Sequence, residues 1–286
     1  MNKKSGRDYI ENLLKNEKCI ALLAPSFVVN FKYPAIIYKI KRLGFDKVTE
    51  LTFGAKMVNG EYHKILKKTK NLVISSPCPG VVTTIKNKFP HLTKNLAKVD
   101  SPIAAMAKIS KKHLPKHKVI FISPCDFKKV EAENSKYIDG IIDYEQLVEL
   151  FKKYKIRRPL FFPFKIQFDK FYNDYTKIYP LSGGLAKTAH LKGIIKEDEI
   201  KIIDGINEII KFLKNPDPKI KFLDCLFCPG GCIGGPHTNQ KLSIEQKHKK
   251  VMDYLKKSKL EDIPEDKKGL IKLAKGIKFS GDVWFK

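Results

Sequence analysis

The chain has 286 residues, 43% of them hydrophobic, a proportion normal for a soluble globular protein with one large core or two lobes. Its 56 basic and 30 acidic residues leave a net charge of +26, carried almost wholly by scattered lysines, with arginine only at Arg7, Arg42, Arg157 and Arg158. That pattern argues against a nucleic-acid partner, which would draw arginines and aromatics to one face, and suits the docking of a small acidic electron carrier. The apolar run after Lys18 is about a dozen residues long and contains Pro25, too short for a membrane span and wrongly ordered for a signal peptide; a cytoplasmic protein is expected.

In chain order, Lys18–Leu23 predicts a strand ending in Ala24-Pro25-Ser26, and a helix follows over about Pro34–Leu43. Lys47–Leu51 reads as a strand and Lys56–Lys68 as a helix. Asn71–Ser75 is a strand running into Ser76-Pro77-Cys78-Pro79-Gly80, with helices over Val81–Phe89 and Pro102–His113. Lys118–Ile122 then runs into Ser123-Pro124-Cys125, so NLVISSPC and KVIFISPC are one device used twice: an apolar strand stopped by proline, with a cysteine at its carboxyl end. Ile138–Ile142 and Tyr144–Tyr154 continue the strand–helix alternation, Pro159–Tyr179 is aromatic-rich and irregular, and Ser182-Gly183-Gly184 opens a helix whose amides could face a ligand. Lys201–Lys214 gives a strand then a helix, Lys219–Phe227 a buried strand, and Ile244–Lys257 a lysine-rich helix before a tail that Trp284 would dock. The alternation predicts an α/β fold, and the duplicated strand–cysteine device predicts two facing lobes of parallel or mixed sheet flanked by helices.

The densest chemistry is Cys228-Pro229-Gly230-Gly231-Cys232, preceded by Cys225. Gly230 and Gly231 let the backbone approach a ligand closely and offer uncovered amides to it. A structural zinc site on Cys225, Cys228 and Cys232 is one reading, although zinc usually takes a second pair at matching spacing; a disulfide is another; and Cys19 reads as a free cysteine buried in a strand. Cys78, Cys125, Cys228 and Cys232, at three strand ends, make a ligand set for a [4Fe–4S] cluster built by the whole fold.

With these residues in place, the chain resembles the H-cluster-binding domain of [FeFe]-hydrogenases from about Cys19 to Thr238. Three cysteine signatures carry the resemblance: Ser76-Pro77-Cys78-Pro79-Gly80; Pro124, Cys125, Lys128 and Glu131; and Cys228-Pro229-Gly230-Gly231-Cys232-Ile233-Gly234-Gly235. The resemblance implies a domain over 1–240 with lobes of roughly 18–115 (plus part of the C-terminal half) and 116–240, a cluster in the cleft between them, and a helical wrap over 241–286. It implies a [4Fe–4S] cluster on Cys78, Cys125, Cys228 and Cys232, with Cys232 bridging to a di-iron subsite that carries CO, cyanide and azadithiolate. It implies cofactor contacts from Ala24, Pro25, Ser26, Pro102 and Lys128, whose ammonium suits an anionic cyanide. It implies reversible interconversion of H2 with protons and electrons exchanged with ferredoxin, and a need for hydrogenase maturation proteins.

The chain departs from the family at the proton relay. Pro77 stands where a proton-carrying cysteine precedes the first ligand, Lys64 and Ala97 replace an acid and a serine, and Ile103, Ser123 and Leu226 replace other pocket residues. Glu61 keeps an acidic side chain, and Cys225 and His237 are further candidates for moving protons. A low-activity hydrogen sensor and a hydrogenase-like iron–sulfur assembly factor without the di-iron subsite are the alternatives. No accessory-cluster motif is seen, so electrons are expected to enter directly from the partner.

Overall fold

The structure, a computed structural model, describes residues 4–158, 166–169, 171, 173, 175–259 and 271–281. Among the described residues, seven parallel strands form two sheets. The first has the order β2-β1-β4-β5, from β1 (Cys19–Leu23), β2 (Lys47–Glu50), β4 (Lys118–Ser123) and β5 (Gly140–Asp143). The second has the order β3-β7-β6, from β3 (Val73–Ile74), β6 (Ile200–Asp204) and β7 (Phe222–Leu226). All five residues of β1 and of β7 are buried, as expected for central strands of parallel sheets covered by helices on both faces.

Strand pairing interleaves the two halves of the sequence. The first sheet takes strands from 19–50 and 118–143, while β3 pairs with β7 from the far end of the chain. The repeated strand–proline–cysteine segments therefore sit in different sheets, β3 in the second and β4 in the first. Helix α3 (Thr52–Lys68) carries the chain away from the first sheet, and α5 (Pro102–His113) packs along α3 before the chain re-enters that sheet at β4. Helix α3 begins at Thr52 and not at Lys56. Gly54 reads as a breaker, yet a Cβ there would stand 2.5 Å from the Pro102 carbonyl oxygen, so glycine is what lets the two helices approach.

Three further helices precede or flank the site. Helix α1 (Arg7–Asn16) and helix α6 (Phe127–Asn134) have no counterpart in the sequence-based expectation, and α4 (Pro79–Lys88) starts directly after Cys78. Helix α2 (Ala35–Arg42), α7 (Tyr144–Lys153) and α9 (Ile206–Lys214) fall close to their predicted spans; the short helix after Gly183, α8 (Gly184–Thr188), stops three residues before the expected Leu191. Helix α10 (Ile244–Lys259) packs on the 3-10 turn Pro25–Val29 and on the glycine loop. Trp284 and part of Pro159–Tyr179 lie outside the described residues. Among the described residues, no helix is long and apolar enough to cross a membrane.

Candidate metal centre

Each cysteine is delivered by a strand end. Cys78 follows β3 and is the N-cap of α4, with Pro79 at the first helical position. Cys125 follows β4 in a tight turn: the Ser123 hydroxyl accepts from the Cys125 N–H (3.0 Å) and donates to the Cys125 carbonyl (2.9 Å). Cys228 and Cys232 follow β7, and the Cys232 N–H donates to the Pro180 carbonyl at 2.8 Å. Gly231 has φ +84°, and a Cβ there would lie 2.6 Å from that same carbonyl oxygen, so only glycine lets this strap run against the loop. All six cysteines are free thiols, which sets the disulfide reading aside.

The four expected ligands lie within electrostatic reach of one another. Burial, followed by the neighbouring Cys78, pushes the Cys125 thiol up to about 11, against hydrogen bonds from the Lys128 and Phe127 amides. Burial and then Cys125 and Cys78 push Cys228 up to about 12. Cys232 is also raised by burial and by the other three sulfurs, with Lys128 opposing. Thiols at Cys125, Cys228 and Cys232 that resist ionisation need a shared cationic centre to become thiolates. An all-sulfur donor set selects iron–sulfur or zinc over hard cations, so the residues present fit a [4Fe–4S] cluster.

Beside the cysteines lies a cavity of about 90 Å³, room for several waters or one compact group. Cys78, Cys125, Cys232, Lys128, Ala24, Pro25 and Pro102 all line it. Most of the remaining wall is apolar, including Pro77, Pro124, Ile103, Phe121 and Leu226. The Lys128 ammonium donates to the Pro77 carbonyl (3.0 Å) and to Glu131 (2.5 Å). Glu131 is fully buried and also accepts from the Ser101 hydroxyl, so Lys128 is fixed at the wall by a buried counter-ion.

Other expected residues stand elsewhere. Ser26 is buried with its hydroxyl 3.3 Å from that of Tyr144, and it does not line the cavity. Glu61 pairs with Lys64 at 2.7 Å and is not part of the wall. Gly230 donates to Asp204 (2.8 Å), while Gly183 and Gly184 pack against Ile202 and the Ile178–Tyr179 backbone. These glycines and Ser182 back the loop without lining the cavity. Cys225 points into the core beside Ser75, and His237 pairs with Asp126 at 2.8 Å outside the cavity. Conversely, Thr52, Thr176 and Tyr179 line the wall without having been expected. Only the helical start at Thr52 could have signalled one of them, because the other two lie in the irregular segment.

A family model described as "Iron only hydrogenase large subunit, C-terminal domain" matches residues 17–236. Iron hydrogenase 1 of Clostridium pasteurianum is 26% identical over 84% of this chain and 54% of its own length. The cytosolic Fe-S cluster assembly factor NAR1 of Encephalitozoon cuniculi is 24% identical over 75% of this chain and 65% of its own length. The chain thus spans between about half and two thirds of these relatives. Among solved structures, a variant of [FeFe]-hydrogenase HydA1 from Chlamydomonas reinhardtii superposes with a TM-score of 0.66 at 14% identity, covering 91% of this chain and 90% of that one. A second [FeFe]-hydrogenase structure gives a TM-score of 0.64 at 16% identity over 92% and 90%.

Proposed function

Because this chain belongs to the family of the iron-only hydrogenase large subunit, C-terminal domain, we propose that it is an [FeFe]-hydrogenase interconverting H2 with two protons and two electrons. The observation carrying this reading is a single one: the four-sulfur group opens onto the adjoining cavity, with Cys78, Cys125 and Cys232 in its wall beside Lys128. Cys78, Cys125, Cys228 and Cys232 would hold the [4Fe–4S] cluster, and Cys232 would link it to a di-iron subsite with CO, cyanide and azadithiolate ligands. When bound, that H-cluster supplies the redox chemistry on hydrogen.

The chain's own residues bind, orient and exclude water. Proline and aliphatic side chains make up most of the cavity wall, a low-dielectric lining that strengthens electrostatic contacts made inside it. The Lys128 ammonium, anchored by Glu131 and the Pro77 carbonyl, has a donor direction left for an anionic ligand such as cyanide. The apolar wall offers no acid at Pro77, so protons have to reach the cavity at another point.

Electrons would be exchanged with an acidic ferredoxin steered by the +26 surface, and hydrogenase maturation proteins would install the subsite. The test is hydrogen evolution by matured protein with reduced ferredoxin across a salt series. Evolution that falls as salt rises is expected. No evolution from protein carrying the complete cluster would refute the catalytic reading, and a salt-insensitive rate would refute electrostatic docking.

A further inference from the structure

Hydrogen chemistry in a cavity walled by prolines and aliphatic side chains requires a polar opening for protons. Thr52, Thr176 and Tyr179 are hydroxyl-bearing residues of the wall. Two of them sit on a partition with water-sized space beyond it. A second cavity, of about 300 Å³, is lined by Lys56, Asn59, His63, Asn173 and His190 among others, and Thr176 belongs to the walls of both cavities.

The partition is hydrogen-bonded from side to side. The Thr176 hydroxyl, on a residue only 1% exposed, lies within donating distance of the Thr52 carbonyl (2.6 Å) on the inner side and of the Asn173 Oδ1 (3.3 Å) on the outer side. The Thr52 hydroxyl accepts from the Asn173 N–H (3.3 Å) and donates to the buried Glu50 carboxylate (3.4 Å). On the wall of the outer cavity, the Asn59 amide nitrogen donates to the Thr188 hydroxyl (3.0 Å), while its Oδ1 is buried without a hydrogen-bond partner. The ring nitrogen of His63 meets the Ala189 carbonyl and so is held as a donor, leaving Nδ1 as the ring's acceptor.

We infer that this outer cavity is the proton inlet of the site and that the Thr176 hydroxyl is its gate, an inference that rests on the hydrogenase reading. In the transfer, an excess proton on outer-cavity water passes to Thr176 Oγ1 as that oxygen turns from the Thr52 carbonyl and releases its own proton to water in the inner cavity. The hydroxyl ends unchanged, one O–H bond having formed and one broken, and no electrons move. The expected candidates do not compete: Glu61, Cys225 and His237 line neither cavity. Lys128 is tied to the Pro77 carbonyl and to Glu131, which is buried and also accepts from the Ser101 hydroxyl.

Two substitutions test the inlet on matured holoprotein. Thr176→Val removes the hydroxyl at nearly constant shape, with Thr176→Ser as its rescue. Gly60→Trp adds bulk at the mouth of the outer cavity, where a side chain at Gly60 meets nothing within 4 Å, and leaves the inner wall untouched. Infrared bands of CO and cyanide report cluster integrity; the readout is the rate of the proton-dependent shift of those bands after flash reduction, in H2O and in D2O. Thr176→Val and Gly60→Trp should keep the bands, slow the shift and the turnover about tenfold or more, and raise the solvent isotope effect, while Thr176→Ser stays near wild type. Wild-type shift rates in Thr176→Val and Gly60→Trp with intact bands would overturn the inlet alone, and so would a Thr176→Ser variant as slow as Thr176→Val. Wild-type protein without CO and cyanide bands after maturation would overturn the hydrogenase reading, and the inlet with it.

Discussion

Lys128→Met removes the ammonium that neutralises Glu131 and tests whether this pair is part of the frame of the site. Glu131 has no exposed side-chain surface and Lys128 retains 14%. The variant leaves a buried carboxylate with the Ser101 hydroxyl as its remaining donor among the contacts described above. Stranding one member of a buried pair costs about 3–5 kcal/mol. The low end applies here, because Lys128 keeps some contact with solvent and water can reach the vacated position. With a urea m-value of about 3 kcal/mol/M, a loss of about 3 kcal/mol moves the midpoint of the metal-free protein down by about 1 M. Glu131→Leu added to Lys128→Met removes the stranded charge and should recover more than half of the loss, since an apolar replacement of a buried pair is often close to neutral. A single variant within about 0.5 kcal/mol of wild type, or a double variant less stable than the single, would refute the reasoning.

Serine at any one of Cys78, Cys125, Cys228 or Cys232 should lower the iron retained after anaerobic reconstitution, whereas Cys19→Ala and Cys225→Ala should leave iron content unchanged; full iron in Cys78→Ser or Cys125→Ser contradicts the ligand assignment. Asp224 is buried, accepts from the Ala186 N–H, and has its carboxyl pushed up to about 6 by burial, from an ordinary 3.8. The folded state therefore holds this proton more tightly than the unfolded chain, and its contribution to stability grows as pH falls from about 6 towards 4, by up to about 3 kcal/mol. Asp224→Asn should remove that slope from denaturation curves of the metal-free protein, and an unchanged slope contradicts it. Gly231→Ala forces a side chain into positive φ and against the Pro180 carbonyl, and should cost about 1–3 kcal/mol in a thermal melt; a neutral effect would show that the strap yields.

The four cysteines that the structure brings together were legible as a group because each is marked locally: a strand, a proline stop and a thiol, or two thiols around glycines. The strand–helix alternation was legible for the same reason, each apolar run being bounded by its own stop signals. Sheet membership was not, because β3 has two residues and finds its partner in β7, about 150 positions later, through a contact that no local pattern encodes. The cavity wall was less readable again. Thr176 lies in the aromatic-rich segment, and it reaches the site through hydrogen bonds to Thr52 and Asn173. On α3 the acidic residue was the visible candidate, yet Glu61 pairs with Lys64 while Asn59 and His63 face the outer cavity. Charge type was readable along the helix, and the face it occupies was set by packing on α5 and on the segment after Thr188.

Infrared spectroscopy of the protein after anaerobic reconstitution and maturation with a di-iron precursor tests the central claim most directly. The account predicts bands of bound CO and cyanide in wild type, their loss in Cys232→Ser, and a shift of the cyanide bands in Lys128→Met. An intact [4Fe–4S] cluster with no CO or cyanide bands would contradict it and place the chain with the assembly factors.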